Sequence, residues 1–219
     1  EVFSLGMRRG IPGPGSYFRL VSILRKYRPA LVQSWMYHAD FMSTFAAPLS
    51  GFPGLVWGIR QSNLSSDVNK RSTLLVLKML AMISAFAPRA VTANSQAAVV
   101  AHRAKGYKPN RFEVLPNGFD LDAFAPDQGA GEEIRAELGL ADSDFVVGMV
   151  GRDDPQKDVG NFLGAAKILS QQVPEAQFVL VGQGWSMDNA ELSAMIEAGE
   201  LYGKVQALGR REDVPRVMN

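Results

Sequence analysis

The chain has 219 residues, 47% of them hydrophobic and 21% charged, a balance typical of a globular protein with one large domain or two small ones. It contains no cysteine and only two histidines, which excludes disulfides and thiolate metal sites and argues against a histidine-rich metal site. The formal net charge of +1 hides an asymmetry, because residues 1–125 carry 15 Lys and Arg against 6 Asp and Glu, and the remainder carries 8 against 16.

This split, +9 in front and −8 behind, indicates two units with different partners. A basic front half suits an anionic membrane surface, a phosphorylated acceptor or nucleic acid. Charge matching between two lobes of one protein would give the same pattern. The longest apolar region, Leu74–Ala87, contains Lys78 and is too short to span a bilayer, so we interpret it as a core helix in preference to a membrane contact.

In chain order, the front half begins with Glu1–Leu5, which resembles part of a strand, and a loop at Gly10–Gly15 that holds two prolines and three glycines. Helices and short strands then alternate. The predicted elements are a helix at Tyr17–Tyr27, a strand at Ala30–Trp35, a helix at His38–Leu49, a strand at Gly54–Ile59, a polar loop at Gln61–Lys70, a helix at Arg71–Ala87, a strand at Ala90–Ala93, a helix capped by Ser95, and a strand at Phe112–Leu115.

The segment Phe119–Ser143 contains Pro and Gly and one short predicted helix at Ile134–Leu138, so we interpret it as a linker and domain entry. It divides the chain into predicted domains 1–125 and 126–219. The rear half predicts a strand at Phe145–Val150 with the apolar pattern of a strand buried on both faces, a helix capped by Asp158, a strand at Ala176–Val181, a helix at Asp188–Ala198, a strand at Val205–Leu208, and the start of a helix at Pro215–Asn219. Because both ends interrupt predicted elements, we expect an internal part of a longer protein.

Strands alternate with helices from end to end, which predicts an α/β fold of parallel sheets with helices on both faces. Right-handed crossovers place the carboxyl ends of the strands at one edge of each sheet, where ligands bind. With two sheets, both edges can face one cleft. The polar and glycine loops singled out all follow predicted strands: His38, Arg60 with Gln61, Asn94, Arg152 with Lys157, Gly182–Gly184, and Gly209 with Arg210.

The loop after Phe145–Val150 carries the strongest chemical signal. It places two cations, Arg152 and Lys157, between a buried strand and a helix that Asp158 can cap. Unpaired backbone N–H groups and the positive end of a helix dipole meet there, which suits a diphosphate site, although most charged loops are ordinary solvated loops. No Walker loop or GxGxxG motif is present, so an ordinary solvated loop remains the alternative interpretation.

Several runs of the sequence resemble glycosyltransferase family 4. They are VLPNGFDLDAFAPD (Val114–Asp127), RAELGL (Arg135–Leu140), VVGMVGRDDPQKD (Val146–Asp158), NFLGAA (Asn161–Ala166), FVLVGQG (Phe178–Gly184) and LGRREDVP (Leu208–Pro215), with similar runs at Pro29–Phe41, Gly54–Asn63 and Thr92–Ala98. The resemblance implies the GT-B fold, with two Rossmann-like domains that are both incomplete here. It also implies a retaining hexosyltransferase, with an acceptor-side front domain and a nucleotide-sugar-binding rear domain.

The resemblance implies that Arg152 and Lys157 contact the diphosphate of the sugar donor and act catalytically on its departure. It places Gly151, Gly182, Gly184, Gly209 and Arg210 on the donor side, and His38, Arg60, Gln61 and Asn117 on the acceptor side. It further implies metal-independent chemistry without a cofactor. We accordingly interpret the carboxylate pair Asp153–Asp154 as loop structure in preference to a metal ligand.

The sequence departs from the family in two ways. Many members have a histidine where Arg60 and Gln61 stand, so Arg60 could instead contact phosphate or acceptor, or His38 could take part unless it caps a helix. The E-x7-E region and the first glycine-rich loop are absent from the 219 residues, so we expect this chain alone to be inactive.

The expected partners are a nucleotide sugar, a saccharide or lipid-linked acceptor in surface polysaccharide synthesis, and peripheral contact with an anionic membrane at the cytoplasmic face of the plasma membrane, without nucleic acid. A non-catalytic sugar-nucleotide or polyanion binder on the same fold is the alternative. A sugar-nucleotide epimerase should carry catalytic carboxylates and histidines that we do not find.

Overall fold

The computed structural model describes residues 1–7, 13–51, 53–67 and 69–219, which form two compact units, Glu1–Gly118 and Phe119–Asn219. The unit boundary precedes the predicted domain boundary after Ala125. A physical reason is that Asp122 and Ala123 lie beside Pro215 of the second unit. The first residues of the predicted loop Gly10–Gly15 fall outside the described part of the chain.

Unit 1 is built on a parallel sheet with the strand order β1-β2-β3-β4. Its elements are α1 (Pro14–Tyr27), β1 (Leu31–Trp35), α2 (Tyr37–Ala46), β2 (Gly54–Ile59), α3 (Arg71–Ile83), β3 (Ala90–Ala93), α4 (Gln96–Ala104) and β4 (Phe112–Val114). The register pairs Leu31 with Gly54 and Val91 with Phe112. The fully buried Trp57, Leu80 and Tyr107 lie at the centre of the unit 1 core.

Three predictions for unit 1 need correction. Glu1–Leu5 is not a strand, because residues 1–7 are irregular, mostly exposed and without a strand partner in the described structure. The helix predicted to reach Ala87 ends at Ile83, where the Ser84 hydroxyl donates to the carbonyl of Ala81. The helix predicted at His38–Leu49 divides into α2 and a 3-10 turn at Ala47–Ser50.

Unit 2 is built on a parallel sheet with the strand order β5-β6-β7. Its elements are α5 (Gln128–Glu137), β5 (Phe145–Val150), α6 (Val159–Gln172), β6 (Ala176–Val181), α7 (Ala190–Ala198), β7 (Val205–Ala207) and α8 (Val214–Val217). The core contains Leu163, Phe178, Leu180, Trp185 and Ile196. Two parallel sheets, each flanked by helices, confirm the predicted α/β class.

The strand β5 differs from its prediction in burial. Phe145 is 54% and Val150 42% exposed, whereas β6 is buried along nearly its whole length. The reason is position, since β5 lies at the edge of the described three-strand sheet and pairs on one side only. The helix predicted at Ile134–Leu138 also begins earlier, because the Asp127 carboxylate accepts the amide of Ala130 and caps α5. Among the described helices none is long and apolar enough to cross a membrane.

Candidate functional site

The carboxyl ends of β5, β6 and β7 are joined by backbone hydrogen bonds. The amide of Gly151 donates to the carbonyl of Val181 at 2.8 Å, and the amide of Gly182 donates to Gly209 at 2.8 Å. The amide of Asp153 also donates to the carbonyl of Gln183 at 2.7 Å. These contacts fix Gly151–Asp158, Gly182–Trp185 and Leu208–Arg210 as one loop surface, the name used below for these three segments.

Two glycines of the loop surface are required by geometry. Gly182 has φ +149°, and a Cβ there would lie 1.4 Å from the carbonyl oxygen of Gly151. Gly184 has φ +93°, and its Cβ would lie 2.5 Å from the Cβ of Asp153. Neither position tolerates a side chain, so the loops approach closely and leave an uncovered backbone surface.

Lys157 lies on this surface beside the amino-terminal end of α6. It closes a 3-10 turn, and its side chain passes Gly151, where a Cβ would lie 3.0 Å from the lysine Cε. The lysine is exposed, and no ion pair of the described residues includes it. Asp158, at φ +51°, accepts the amide of Asn161 and caps α6 as predicted. A full positive charge therefore adds to the positive end of the helix dipole.

Arg152 is placed on the same surface but is already paired. Its Nη2 lies 2.9 Å from the Asp154 carboxylate, although 72% of its side chain is exposed. The same carboxylate accepts the amide of Gln156, and that bond, followed by the bond from Arg152, lowers the pKa of Asp154 below its usual value. Asp154 thus stabilises the loop after β5 through its contacts with Arg152 and Gln156. No cluster of three His, Asp or Glu suited to a metal ion occurs among the residues that the structure describes.

Arg210 and Arg211 follow β7 and have different surroundings. Arg210 is exposed at the edge of the loop surface. Arg211 forms ion pairs with Glu137 of α5 and with Asp213, at 2.7 Å for the second pair. The bonds from Arg211 lower the pKa of Asp213 to about 2. Arg211 therefore fastens the chain ahead of α8 to α5, and Arg210 is the arginine left at the surface.

Trp185 is a supporting residue that sequence reasoning missed. It is 1% exposed, its ring lies 3.5 Å from the Cβ position of Gly151, and its indole N–H has no partner in the described structure. Its carbonyl accepts the amide of Gly209 at 2.6 Å. A large aromatic residue directly after a glycine turn was the available signal. Trp185 therefore packs beneath the loop surface and supports it through its contacts with Gly151 and Gly209.

A second group of predicted residues lies at the carboxyl edge of the unit 1 sheet. The guanidinium of Arg60 lies 4.2 Å from the ring centroid of Trp35 and donates to the side-chain oxygen of Asn117. Together with Asn94 and Pro116 they line a pocket of about 370 Å³, called the Arg60 pocket below. Trp35 was not predicted, because its position at the end of β1 gave no chemical signal of its own.

Gln61 and His38 are not part of this contact. The side-chain amide of Gln61 donates to the side-chain oxygen of Asn69 at 2.9 Å, within the polar loop after β2. His38 is the second residue of α2 and forms none of the described hydrogen bonds with Arg60 or Asn117. Helix capping by His38 is not observed either, because the N-cap position is Met36 and no side chain caps α2.

A buried polar network lies behind this edge. The hydroxyl of Tyr37 is 2.8 Å from Nε2 of His102, and Nδ1 of His102 is 2.8 Å from the carbonyl of Ala98. Because a carbonyl only accepts, Nδ1 carries the proton and Nε2 accepts from Tyr37. Burial lowers the pKa of His102, which keeps the ring neutral. Tyr37 directly follows Met36, whose φ of +74° is uncommon for a non-glycine residue and whose amide donates to the carbonyl of Gly58 at 3.0 Å.

Asp40 is also buried and lies about one helical turn after Tyr37 in α2. Its carboxylate accepts from the hydroxyl of Ser34 at 2.6 Å. Burial raises the pKa of Asp40 to about 7, although the bond from Ser34 and one from the backbone of Gly58 oppose that shift. No sequence pattern indicated either Asp40 or His102 as part of a network.

Comparison with known proteins supports the resemblance stated above. The family described as Glycosyltransferase Family 4 matches residues 2–123, and that described as Glycosyl transferases group 1 matches residues 131–219. An Escherichia coli UDP-Gal:alpha-D-GlcNAc-diphosphoundecaprenol alpha-1,3-galactosyltransferase is 29% identical over 206 residues, 93% of this chain and 53% of that protein. The Bacillus subtilis putative glycosyltransferase EpsF is 28% identical over 227 residues, 100% of this chain and 58% of that protein.

Solved structures also resemble this chain in fold. Anabaena HepE in complex with UDP-glucose has a TM-score of 0.77 and 26% identity, covering 93% of this chain and 54% of that one. WaaG, a glycosyltransferase involved in lipopolysaccharide biosynthesis, has a TM-score of 0.62 at 12% identity, which is a likeness of fold alone. The chain spans about half the length of the curated relatives it matches.

Proposed function

Because the chain belongs to Glycosyltransferase Family 4, we propose that it is part of a retaining hexosyltransferase. The enzyme moves a sugar from a nucleotide-diphosphate sugar to a saccharide or lipid-linked acceptor in surface polysaccharide synthesis. The HepE complex with UDP-glucose supports the class of sugar donor. The Escherichia coli relative, named for a diphosphoundecaprenol-linked acceptor, supports the class of acceptor.

The observation that carries this proposal is the loop surface of unit 2. Glycines that exclude side chains leave room for a diphosphate against the backbone, and Lys157 stands beside it at the amino-terminal end of α6. An anion at such a site is stabilised by the lysine charge and by the helix dipole together. Gly151, Gly182, Gly184 and Gly209 form the floor, and Arg210 lies at the rim.

Sugar transfer requires stabilisation of the negative charge that develops on the departing diphosphate. When the bond between the anomeric carbon and the diphosphate oxygen breaks, its electron pair stays on the diphosphate as it leaves. The acceptor hydroxyl forms the new bond to carbon on the same face and gives its proton to the departing diphosphate oxygen. Lys157 and Arg152 stabilise the additional negative charge on the departing diphosphate more than the smaller charge of the intact diester, which lowers the barrier without a metal or a cofactor.

The test is transfer from a radiolabelled nucleotide sugar by the full-length enzyme, with Lys157→Ala beside it. We expect transfer by the wild type and a large loss in the variant. Residues 1–219 alone should give little or no transfer, because they contain no E-x7-E segment. Absence of transfer from a panel of nucleotide sugars, with nucleotide binding intact, would favour the alternative, a non-catalytic sugar-nucleotide or polyanion binder. Arg60 in place of the family's histidine is the observation that keeps this alternative in view.

Membrane contact belongs to the same proposal and rests on α1 and α2. Tyr17 and Phe18 of α1 and Phe41 and Phe45 of α2 line an apolar groove of about 480 Å³, and Phe18 is 63% exposed. Arg19 and Lys26 of α1 are exposed cations. Exposed aromatic rings and cations on the same helix are a combination that binds an anionic bilayer surface, so we propose that the enzyme lies peripherally on the inner face of the plasma membrane.

A further inference from the structure

The Arg60 pocket contains a guanidinium that is positioned before any ligand arrives. The central guanidinium carbon of Arg60 lies 4.2 Å from the ring centroid of Trp35, and one terminal N–H group of Arg60 donates a hydrogen bond to the side-chain oxygen of Asn117. These residues come from the ends of β1 and β2 and from the segment after β4, so the sheet itself sets their spacing. A stacked, hydrogen-bonded arginine loses little side-chain entropy on binding.

The charge of Arg60 is uncompensated in the described structure. No carboxylate lines the pocket, whose polar side chains include Arg60, Asn94 and Asn117. None of the ion pairs among the described residues includes Arg60. A guanidinium has five N–H donors in a planar fork, and Asn117 takes one, so a pair remains for bidentate contact with phosphate oxygens.

The same unit also offers a place for a lipid chain. Helix α2 begins two residues after Trp35 and carries Phe41 and Phe45 into the apolar groove with α1. Unit 1 thus contains both a cationic pocket after its strands and an aromatic groove between α1 and α2. A cationic pocket and an apolar groove match the two parts of a lipid diphosphate, its anionic head and its apolar tail.

We propose that the Arg60 pocket binds the diphosphate of a polyprenyl-diphosphate-linked acceptor, with Arg60 as the contact to the phosphate oxygens. Trp35 and Asn117 are positioning residues, which hold the guanidinium in its plane. This rests on the proposed glycosyltransferase function and assigns the second diphosphate of the reaction. The diphosphate of the sugar donor belongs to the loop surface of unit 2, so the two anions have separate cationic sites.

Calorimetric titration of the 219-residue chain with geranyl diphosphate, and separately with UDP, tests the assignment. Arg60→Gln should weaken geranyl diphosphate binding about tenfold, the loss of one charge-assisted contact at a partly exposed site, and leave UDP binding unchanged. Arg60→Lys should lose part of the affinity, because lysine keeps the charge without the planar fork. Arg103→Gln is the control, since Arg103 stacks on Phe112 at the opposite end of β4.

Tryptophan fluorescence gives a second readout. Trp57 and Trp185 are buried, whereas Trp35 is 46% exposed, so geranyl diphosphate should quench emission that Trp35→Phe removes. Equal affinities of Arg60→Gln and the wild type for geranyl diphosphate would overturn the proposal. So would loss of UDP binding alone, which would assign Arg60 to the sugar donor. Either result leaves the transfer reaction standing, because radiolabelled sugar transfer tests that independently.

Discussion

The guanidinium of Arg152 is paired with the carboxylate of Asp154 at 2.9 Å, inside the loop that also presents Lys157. Two cations predicted as equals are therefore unequal in the structure. Asp154 offsets the charge of Arg152, whereas Lys157 has no ion pair in the described part of the chain. Lys157 is therefore the cation of this loop whose charge no ion pair among the described residues offsets.

Lys157→Ala should therefore weaken UDP binding by about 1.5–3 kcal/mol, or roughly 10- to 150-fold, the range for a hydrogen bond to a charged group. Calorimetry on the full-length protein measures it. Lys167→Ala is a matched control, because Lys167 is a surface lysine of the same unit paired with Glu200. Unchanged affinity in the Lys157 variant would remove this residue from the site.

Asp154→Asn should act in the opposite direction. The asparagine side chain can still accept the amide of Gln156, but it no longer neutralises Arg152. We expect UDP affinity to rise about two- to fivefold, the size of one screened surface charge interaction. A loss of affinity, with an unchanged melting temperature, would show that Arg152 needs its partner to be oriented.

Gly182→Ala should destabilise unit 2 severely. Its Cβ would overlap the carbonyl of Gly151, so β5 and β6 must separate at their carboxyl ends. We expect a loss of about 3–5 kcal/mol in chemical denaturation, the range for a disrupted backbone and strained conformation. Gly164→Ala is the contrasting control, because nothing lies within 4 Å of its Cβ position in α6, and it should stabilise by about 0.5–1 kcal/mol. Comparable stability of the two variants would contradict the geometry.

The buried Asp40 predicts a pH dependence of unit 1. Its folded pKa is raised to about 7 from 3.8, so the folded state holds the proton more tightly than the unfolded chain. The stability associated with the protonated form is complete below about pH 4 and is lost as the pH rises towards 7. Asp40→Asn should therefore raise the melting temperature at pH 8 and change it little at pH 4. Equal shifts at both values would rule out the carboxyl as the cause.

The apolar groove predicts the membrane contact. Phe18→Ser should reduce sedimentation with vesicles of anionic phospholipid severalfold. The substitution removes an aromatic ring that would be buried in the bilayer and would contribute apolar binding energy there. Phe86→Ser is the control, since Phe86 is 74% exposed but does not line the groove. Binding should weaken as salt rises, through screening of the α1 cations. Binding insensitive to both Phe18 and salt would remove this surface from the proposal.

The sequence predicted most elements because their signals are local. Apolar periodicity and caps such as Ser95 and Asp158 act within a few residues, and both capping side chains are observed in place. The alternation of strands and helices predicted that Gly151, Lys157 and Gly182 lie in the loops that follow strands. Local signals failed for Glu1–Leu5, which pairs with no strand among the described residues.

What the sequence determined by itself was the order of elements, the family and the set of residues that end the strands. Only the tertiary structure decided that β5 lies at a sheet edge, that Gln61 turns away to Asn69, and that Arg60 rests on Trp35 and Asn117. The physical reason is that burial and side-chain pairing depend on partners far away in the chain. Which partners meet is set by strand order and packing, and no run of neighbouring residues contains that information.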